Sequence, residues 1–304
     1  MILRDSSSTL GDTLSAVFSS TRVPDEFVAI VDDRTTDNSA DIVRRFGGQV
    51  RFVRWHGWGA QRNEVFKFLQ TDYTLLLDDD MIVPPDFIEK AEFVLGDDEG
   101  VGAVSCPYSV KLRQRTIWAL WLERRRNVVL LQTQPKYPAY ASLATTAIVM
   151  FRRSALEKIG FFEDSLKLGH EDSNMFHKLR RDWNIAILDT SAIHIEDRDE
   201  VLKRQFQFGR SWFGYSKVTD GIPAATRTMK YVLAGLFYPG VGVLIIGMFY
   251  KFHLKFSPQL SQTARLRLSV LEEIALLFHS AGMLISLLES AHKKAATSEV
   301  VRRS

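Results

Sequence analysis

Three consecutive carboxylates, Asp78-Asp79-Asp80, follow the apolar run Tyr73–Leu77 and precede Met81-Ile82-Val83-Pro84-Pro85. A short apolar run closed by a Pro pair reads as a buried strand. The carboxylates then stand at its carboxyl end, where open α/β sheets bind their ligands. Clustered carboxylates repel one another unless a cation such as Mg²⁺ or Mn²⁺ neutralises them. Taken alone, the triplet serves equally well as a solvated turn with a capping aspartate.

Two further acidic groups have comparable addresses. Asp32-Asp33 end the apolar run Phe27–Val31, and Thr35, Thr36, Asp37 and Asn38 open the next helix. A carboxylate at that place can accept from a ribose hydroxyl or a base N–H, whereas Asp37 and Asn38 read as simple caps. Glu171-Asp172 precede Met175, Phe176, Leu179 and Trp183, whose spacing predicts a helix with the pair in its first turn. There the positive end of the helix dipole stabilises a carboxylate, and an ionised Asp facing a cleft can act as general base. Gly57-Trp58-Gly59-Ala60-Gln61-Arg62-Asn63 places Arg62 in a helix's first turn. Its guanidinium can pair with a diphosphate or with an aspartate. Neither G-x-G-x-x-G nor G-x-x-x-x-G-K-[ST] occurs, so a phosphate would be held by metal and side chains.

The elements that must position these groups alternate. A strand stub at Met1–Leu3, a helix from about Leu10 to Ser20, a strand at Phe27–Val31 and a helix over 38–46 come first. A strand at Val50–Val53, a helix at Ala60–Leu69 and the strand Tyr73–Leu77 follow, with later strands at Gly102–Cys106, Thr146–Phe151 and Ile185–Leu188. This β-α-β-α order predicts an α/β fold with a mostly parallel sheet flanked by helices. Two strands would deliver their acids to one sheet edge.

The net charge of +3 hides an asymmetry: residues 1–200 carry −6 and residues 201–304 carry +9. Tyr231–Tyr250 contains no charged residue and has the ~20-residue length of a bilayer span. Lys230 and Lys251 flank it, and a second apolar stretch covers Ile274–Leu288. Residues 1–220 are therefore expected to form the catalytic domain, and 221–304 a basic, hydrophobic, membrane-associated helical region. Nucleic acid is excluded as a partner because the basic residues share their segments with apolar runs and the expected cleft is acidic. Lys111, Arg113, Arg115 and Arg124–Arg126 around Trp118 and Trp121 suit a lipid phosphate surface. The lone Cys106 fits a reducing compartment. Met1–Leu3 runs at once into the polar Arg4–Ser8, so no secretory leader is expected. The cytoplasmic face of the cell membrane is the expected location.

Taken in order from Met1 to about Ile195, the segments resemble a family 2 glycosyltransferase, inverting, nucleotide-sugar dependent and of GT-A fold. Val28-Ala29-Ile30-Val31-Asp32-Asp33-Arg34-Thr35-Thr36-Asp37 is similar to the family's VVDDGSTD, and Gly59-Ala60-Gln61-Arg62-Asn63 to its GxxxARN. Leu77-Asp78-Asp79-Asp80 is similar to its LDxD (DXD) motif, Phe151–Leu156 to FRRSAL, and Gly169-His170-Glu171-Asp172 to the xED that ends in the base. The Trp55–Asn63 segment also resembles the subgroup that adds sugars to lipid-linked or cell-envelope saccharides.

The resemblance implies roles for these residues. Asp172 is the catalytic base; Asp32 and Asp33 contact the nucleoside, and Arg62 the base or diphosphate. Asp78 faces the ribose or sugar, and Glu171 stands beside the base on the substrate side. Asp79 is grouped with these donor-side residues as a spacer. Asp80 holds Mg²⁺ or Mn²⁺, with His194 as a second metal contact. The expected reaction is hexosyl transfer from a nucleotide sugar, a UDP-sugar first, to a saccharide or lipid-linked acceptor. Arg34 departs from the family's Gly, and the Q-x-x-R-W motif of processive synthases is missing, which argues for transfer of one sugar. The rival readings are a nucleotidyltransferase on a related fold and a non-catalytic membrane scaffold.

Overall fold

The computed structural model describes residues 1–112, 121, 139–140, 145–196, 201–220, 246–251, 253–254 and 261–303. The chain forms two compact units. The first comprises Met1–Arg115, Glu123–Lys167 and Glu171–Asp197; the second comprises Thr116–Leu122, Leu168–His170 and Arg198–Ser304.

In the first unit, β1 (Ile2–Leu3), β2 (Val28–Asp32) and β3 (Gln49–Val53) form a parallel ladder in that order. Helices α1 (Leu10–Phe18), α2 (Ser39–Arg45) and α3 (Trp58–Phe68) connect its strands and lead on from it. A second ladder has the order β4-β9-β6-β10-β8, from β4 (Tyr73–Leu77), β6 (Val101–Ser105), β8 (Ala139–Tyr140), β9 (Ile148–Arg152) and β10 (Asn184–Ile187). Its β6–β10 pair is parallel, while β9 runs antiparallel to both β4 and β6. A third ladder joins β5 (Met81–Ile82), β11 (Ala192–Glu196) and β7 (Tyr108–Leu112). The helices α4 (Phe87–Asp97), α5 (Arg153–Ile159) and α6 (Glu171–Leu179) complete this unit.

Strands β6 and β9 read as nearly continuous apolar runs because both of their faces are buried. Alternate side chains leave opposite faces of a strand, and here they feed two cores. Leu77, Val104, Met150 and Ala186 join Leu10, Leu14, Phe87 and Leu95 from α1 and α4. Their neighbours Leu76, Ala103, Phe151 and Ile185 join Phe66, Leu156, Phe176 and Leu179 from α3, α5 and α6. A one-residue slip in any of these strands would exchange the two sets, so the register is strongly specified.

Every strand expected from the sequence is present, with ends shifted by a residue or two. The short strands β5, β7, β8 and β11 were not anticipated. The expectation that two strands deliver their acids to one edge of a single sheet needs correcting, because β2 and β4 belong to different hydrogen-bonded ladders.

In the second unit, α7 (Val201–Asp220) and α8 (Gln262–Arg303) pack along one another. Their backbones approach at two glycines. A Cβ on Gly209 would strike the His279 carbonyl, and one on Gly282 the Phe206 carbonyl. The Arg210 guanidinium also donates to Glu289 at 2.6 Å. Trp121, read from sequence as part of a lipid-facing surface, is fully buried against Leu268, Leu271 and Ala275 of α8 and is a core side chain. Most of the other residues in that basic cluster, and most of Tyr231–Tyr250, lie outside the described residues, as does the stretch 221–245 that follows the expected boundary at 220.

Candidate active site

The DDD triplet leaves β4 as a turn whose backbone is held on several sides. Asp78 N–H donates to the Ala147 carbonyl at 2.9 Å, and Thr13 Oγ1 donates to the Asp79 carbonyl at 2.9 Å. Ile195 N–H donates to the Asp80 carbonyl at 2.7 Å. Asp79 and Asp80 are buried, while the Asp78 carboxylate is one-third exposed.

The unanticipated strand β11 brings His194 here. It pairs antiparallel with β5, His194 opposite Met81, one residue from Asp80. The imidazole Nε2 lies 3.1 Å from Asp80 Oδ2, and both side chains are buried. Among the described residues no group of three or more His, Cys, Asp or Glu converges for a metal. A carboxylate and an imidazole nonetheless suit a divalent ion. Two adjacent ligands of an octahedral ion at ~2.1 Å lie ~3 Å apart, and such ions take their remaining ligands from water and substrate phosphates. The Asp80–His194 pair fits Mg²⁺ or Mn²⁺ on those grounds.

Arg62 rises from α3 into the space between β4 and α6. Its Nη1 donates to Glu171 Oε1 at 2.6 Å, and Nη2 lies 3.5 Å from Asp78 Oδ1. Both Arg62 and Glu171 are buried. Burial pushes the Glu171 carboxyl up and Arg62 opposes that shift. Burial also disfavours the Arg62 cation, but Glu171, Asp78 and Asp172 outweigh it and hold the guanidinium charged. Asp172 is half-buried at the start of α6, where its Oδ1 accepts from Ser173 N–H at 2.6 Å. The structure thus brings Arg62, Asp78, Glu171 and Asp172 into one electrostatic group, and Asp80 with His194 into another beside it in the chain.

Asp32 sits differently. It is 2 % exposed, and Arg34 grips both its oxygens, Nε to Oδ1 at 2.9 Å and Nη2 to Oδ2 at 2.6 Å. The Arg34 hydrogen bonds hold its carboxyl below the usual range against the opposing effect of burial. Asp33 is exposed, and the Arg34 guanidinium lies 5.7 Å from the Trp55 ring centroid. Asp37 accepts from Ser39 N–H at 3.0 Å and Ser7 N–H at 2.7 Å, so it shapes the turn as a capping residue does.

Asn63 was quoted from the sequence without a role. Its Nδ2 donates to the Phe162 carbonyl at 3.0 Å and its Oδ1 accepts from Phe162 N–H at 3.0 Å. The signal for it lay in the i, i+3, i+4 spacing of Gly59, Arg62 and Asn63, which puts all three on one helix face. A separate cavity of about 440 Å³ lies beside the amino ends of β2 and β4, lined by Phe27, Val28, Tyr73, Leu75 and Val65. It is at the opposite end of these strands from the carboxylates.

Among solved structures, the fold is similar to that of the mannosyltransferase PcManGT from Pyrobaculum calidifontis, determined in complex with GDP-Man and Mn²⁺. The TM-score is 0.60 at 15 % identity, covering 93 % of this chain and 85 % of that one. Residues 1–349 of S. aureus TarS in complex with UDP-GlcNAc match with TM-score 0.51 at 12 % identity over 92 % of this chain and 88 % of that one. No curated protein matches the sequence. The model of the glycosyl transferase family 2 matches residues 1–160, more than half of the chain. With that match, and with the GT-A arrangement of its strands and carboxylates, the chain belongs to glycosyl transferase family 2.

Proposed function

We propose that the protein transfers one sugar from a nucleoside diphosphate sugar to a hydroxyl acceptor with inversion, using Asp172 as the base. The observation that carries this reading is the buried Arg62 between Glu171 and Asp78, which draws the start of α6 to the end of β4. In the reaction the acceptor oxygen attacks the anomeric carbon from the face opposite the leaving group. Its O–H proton passes to the Asp172 carboxylate while the bond from that carbon to the diphosphate oxygen breaks. Asp33 and Asp78, both solvent-accessible, contact the nucleoside and the ribose or sugar; Asp32 acts through Arg34, which it orients. Asp80 and His194 would hold Mg²⁺ or Mn²⁺, which as a Lewis acid supplies neutralising charge for the departing diphosphate. The solved complexes with GDP-Man and Mn²⁺ and with UDP-GlcNAc support a donor of this class.

The acceptor in this reading is carried at a membrane. Support comes from α8, whose segment Gln262–Glu289 is long and apolar enough to cross a bilayer: 18 consecutive residues in it have mean hydropathy 1.6, though half of those are buried in the protein. Leu266, Val270, Phe278, Ile285 and Leu288 lie exposed along one side of it. Basic residues bracket that stripe, Arg265 and Arg267 before it and Lys293 and Lys294 after it. Such flanks favour an anionic leaflet.

The test is a donor screen with Mn²⁺ present, followed by variants. Asp172→Asn is expected to lower turnover by about 10²–10⁴-fold, the usual contribution of a general base, with nucleotide affinity retained. Asp80→Ala or EDTA is expected to weaken nucleotide binding. Wild-type turnover in Asp172→Asn would remove the proposed base, and nucleotide binding indifferent to both EDTA and Asp80→Ala would remove the metal.

A further inference from the structure

Sequence resemblance assigns Arg62 to the donor's base or diphosphate, but its surroundings point elsewhere. Arg62 and Glu171 are separated by 109 residues and meet at 2.6 Å with both side chains 8 % exposed. Asp78 lies 3.5 Å from the same guanidinium, and the Phe162 ring centroid is 5.8 Å from its central carbon. A cation so buried has its charge already matched by protein carboxylates. To reach a diphosphate it would have to leave Glu171 buried and uncompensated, which is strongly unfavourable.

The neighbours on the same face of α3 serve the same segment. A Cβ at Gly59 would come within 3.1 Å of the Glu163 carbonyl and 3.4 Å of the Glu171 Cβ, so α3 approaches this segment closely at a residue without a side chain. One turn on, Asn63 holds both backbone groups of Phe162. Three residues at i, i+3 and i+4 therefore bind residues 162–171, which lead into the helix carrying Asp172.

We infer that Arg62 is a positioning residue rather than a donor ligand, and that its buried pair with Glu171 ties the base-bearing helix α6 to the end of β4 that carries Asp78. The inference rests on the proposed role of Asp172. Glu171 is accordingly the partner of Arg62 and not a substrate contact. The Asp78 carboxylate is one-third exposed, and that exposed side faces the donor in this reading.

The experiment compares wild type with Arg62→Met, Glu171→Met and the double variant. Affinity for GDP and for UDP is measured by calorimetry with Mn²⁺, and kcat and KM with the donor found in the screen. Arg62→Met leaves the buried Glu171 carboxylate without its cation, and Glu171→Met leaves Arg62 only the longer 3.5 Å pair with Asp78. Each is expected to lower kcat at least tenfold, with nucleotide affinity and donor KM within about threefold of wild type. Removing both charges restores a packed apolar contact of similar volume. The double variant is therefore expected to recover kcat to within about fivefold of wild type.

A tenfold or greater loss of nucleotide affinity in Arg62→Met that persists in the double variant would overturn the inference. So would a double variant that binds nucleotide normally yet turns over as slowly as Arg62→Met, because the cation itself would then be required. If a single variant does not fold, the double variant is read against wild type: nucleotide affinity lowered tenfold or more, or kcat lowered tenfold or more, overturns the inference, and kcat within about fivefold with normal nucleotide affinity supports it. Absence of nucleotide binding and of transfer in the wild type would refute the proposed function and leave the Arg62–Glu171 geometry standing.

Discussion

Replacing Asn63 with Ala and with Asp separates the two halves of its amide and measures how firmly α3 holds the segment before α6. Asn63→Ala deletes the bonds to the Phe162 N–H and carbonyl, both 3.0 Å, and the 2.8 Å bond to Asp164. Each of the first two contributes about 1 kcal/mol net, and stranding the groups of the buried Phe162 adds about 1 kcal/mol more. The Asp164 bond is solvent-exposed and adds little. The expected loss is about 2–3 kcal/mol, a fall of about 5–10 °C in Tm for a unit of this size.

Asn63→Asp keeps the acceptor for Phe162 N–H but turns a second oxygen toward the Phe162 carbonyl and Asp164. At pH 7 it is therefore expected to cost more than Ala. Those acceptors raise the folded-state pKa of the new carboxyl above its unfolded value near ~4. Stability is regained as pH falls through the folded value, because the protonated group can donate again. Urea unfolding at pH 7 and pH 4.5, read as the midpoint at constant m, provides the assay. The reasoning fails if Asn63→Ala costs less than about 0.5 kcal/mol, within the scatter of ordinary surface substitutions. It also fails if Asn63→Asp is the milder change at pH 7.

Two other substitutions test local structure. Gly57 precedes α3 at φ +129°, ψ 156°, a region essentially restricted to glycine, and a Cβ there would lie 3.0 Å from Lys167 Cα. Gly57→Ala is expected to destabilise the protein by about 1–3 kcal/mol in urea unfolding. Arg34→Ala removes the partner that depresses the Asp32 carboxyl. A depressed folded pKa stabilises above the unfolded value near ~3.9 and loses that contribution as pH falls through the folded one. Arg34 is about half exposed and its pairing is screened by solvent, so wild type should exceed the variant only modestly at pH 7. The gap should begin to close below about pH 3.9 and vanish only below the depressed folded value, and a gap that persists below both would show that Arg34 acts through packing on Trp55 instead.

The carboxylates at strand ends were legible because the code for them is local. A short apolar run such as Tyr73–Leu77, closed by a Pro pair, reads as a largely buried strand, and the residues that follow it emerge at its end. The helix bearing Glu171 and Asp172 was legible in the same way, from apolar spacing and an acidic first turn. The turn role of Asp37 was legible in part, since one bond reaches Ser39 two residues on, while the other ties it to Ser7 thirty residues back. Other strands were not legible: β5 has only two residues, and the five-residue β11 carries a histidine at its centre.

What sequence alone determined here is the alternation of elements, the family resemblance and the placing of each acid at an element's end. Tertiary structure alone decided which of those ends meet. His194 reaches Asp80 because β11 pairs with β5 in one register, and Arg62 meets Glu171 across 109 residues. Trp121 proved a core residue because α8 covers it. Periodicity and capping are properties of a few neighbouring residues, whereas register and ion pairing depend on chain segments whose separation in sequence carries no record of their contact.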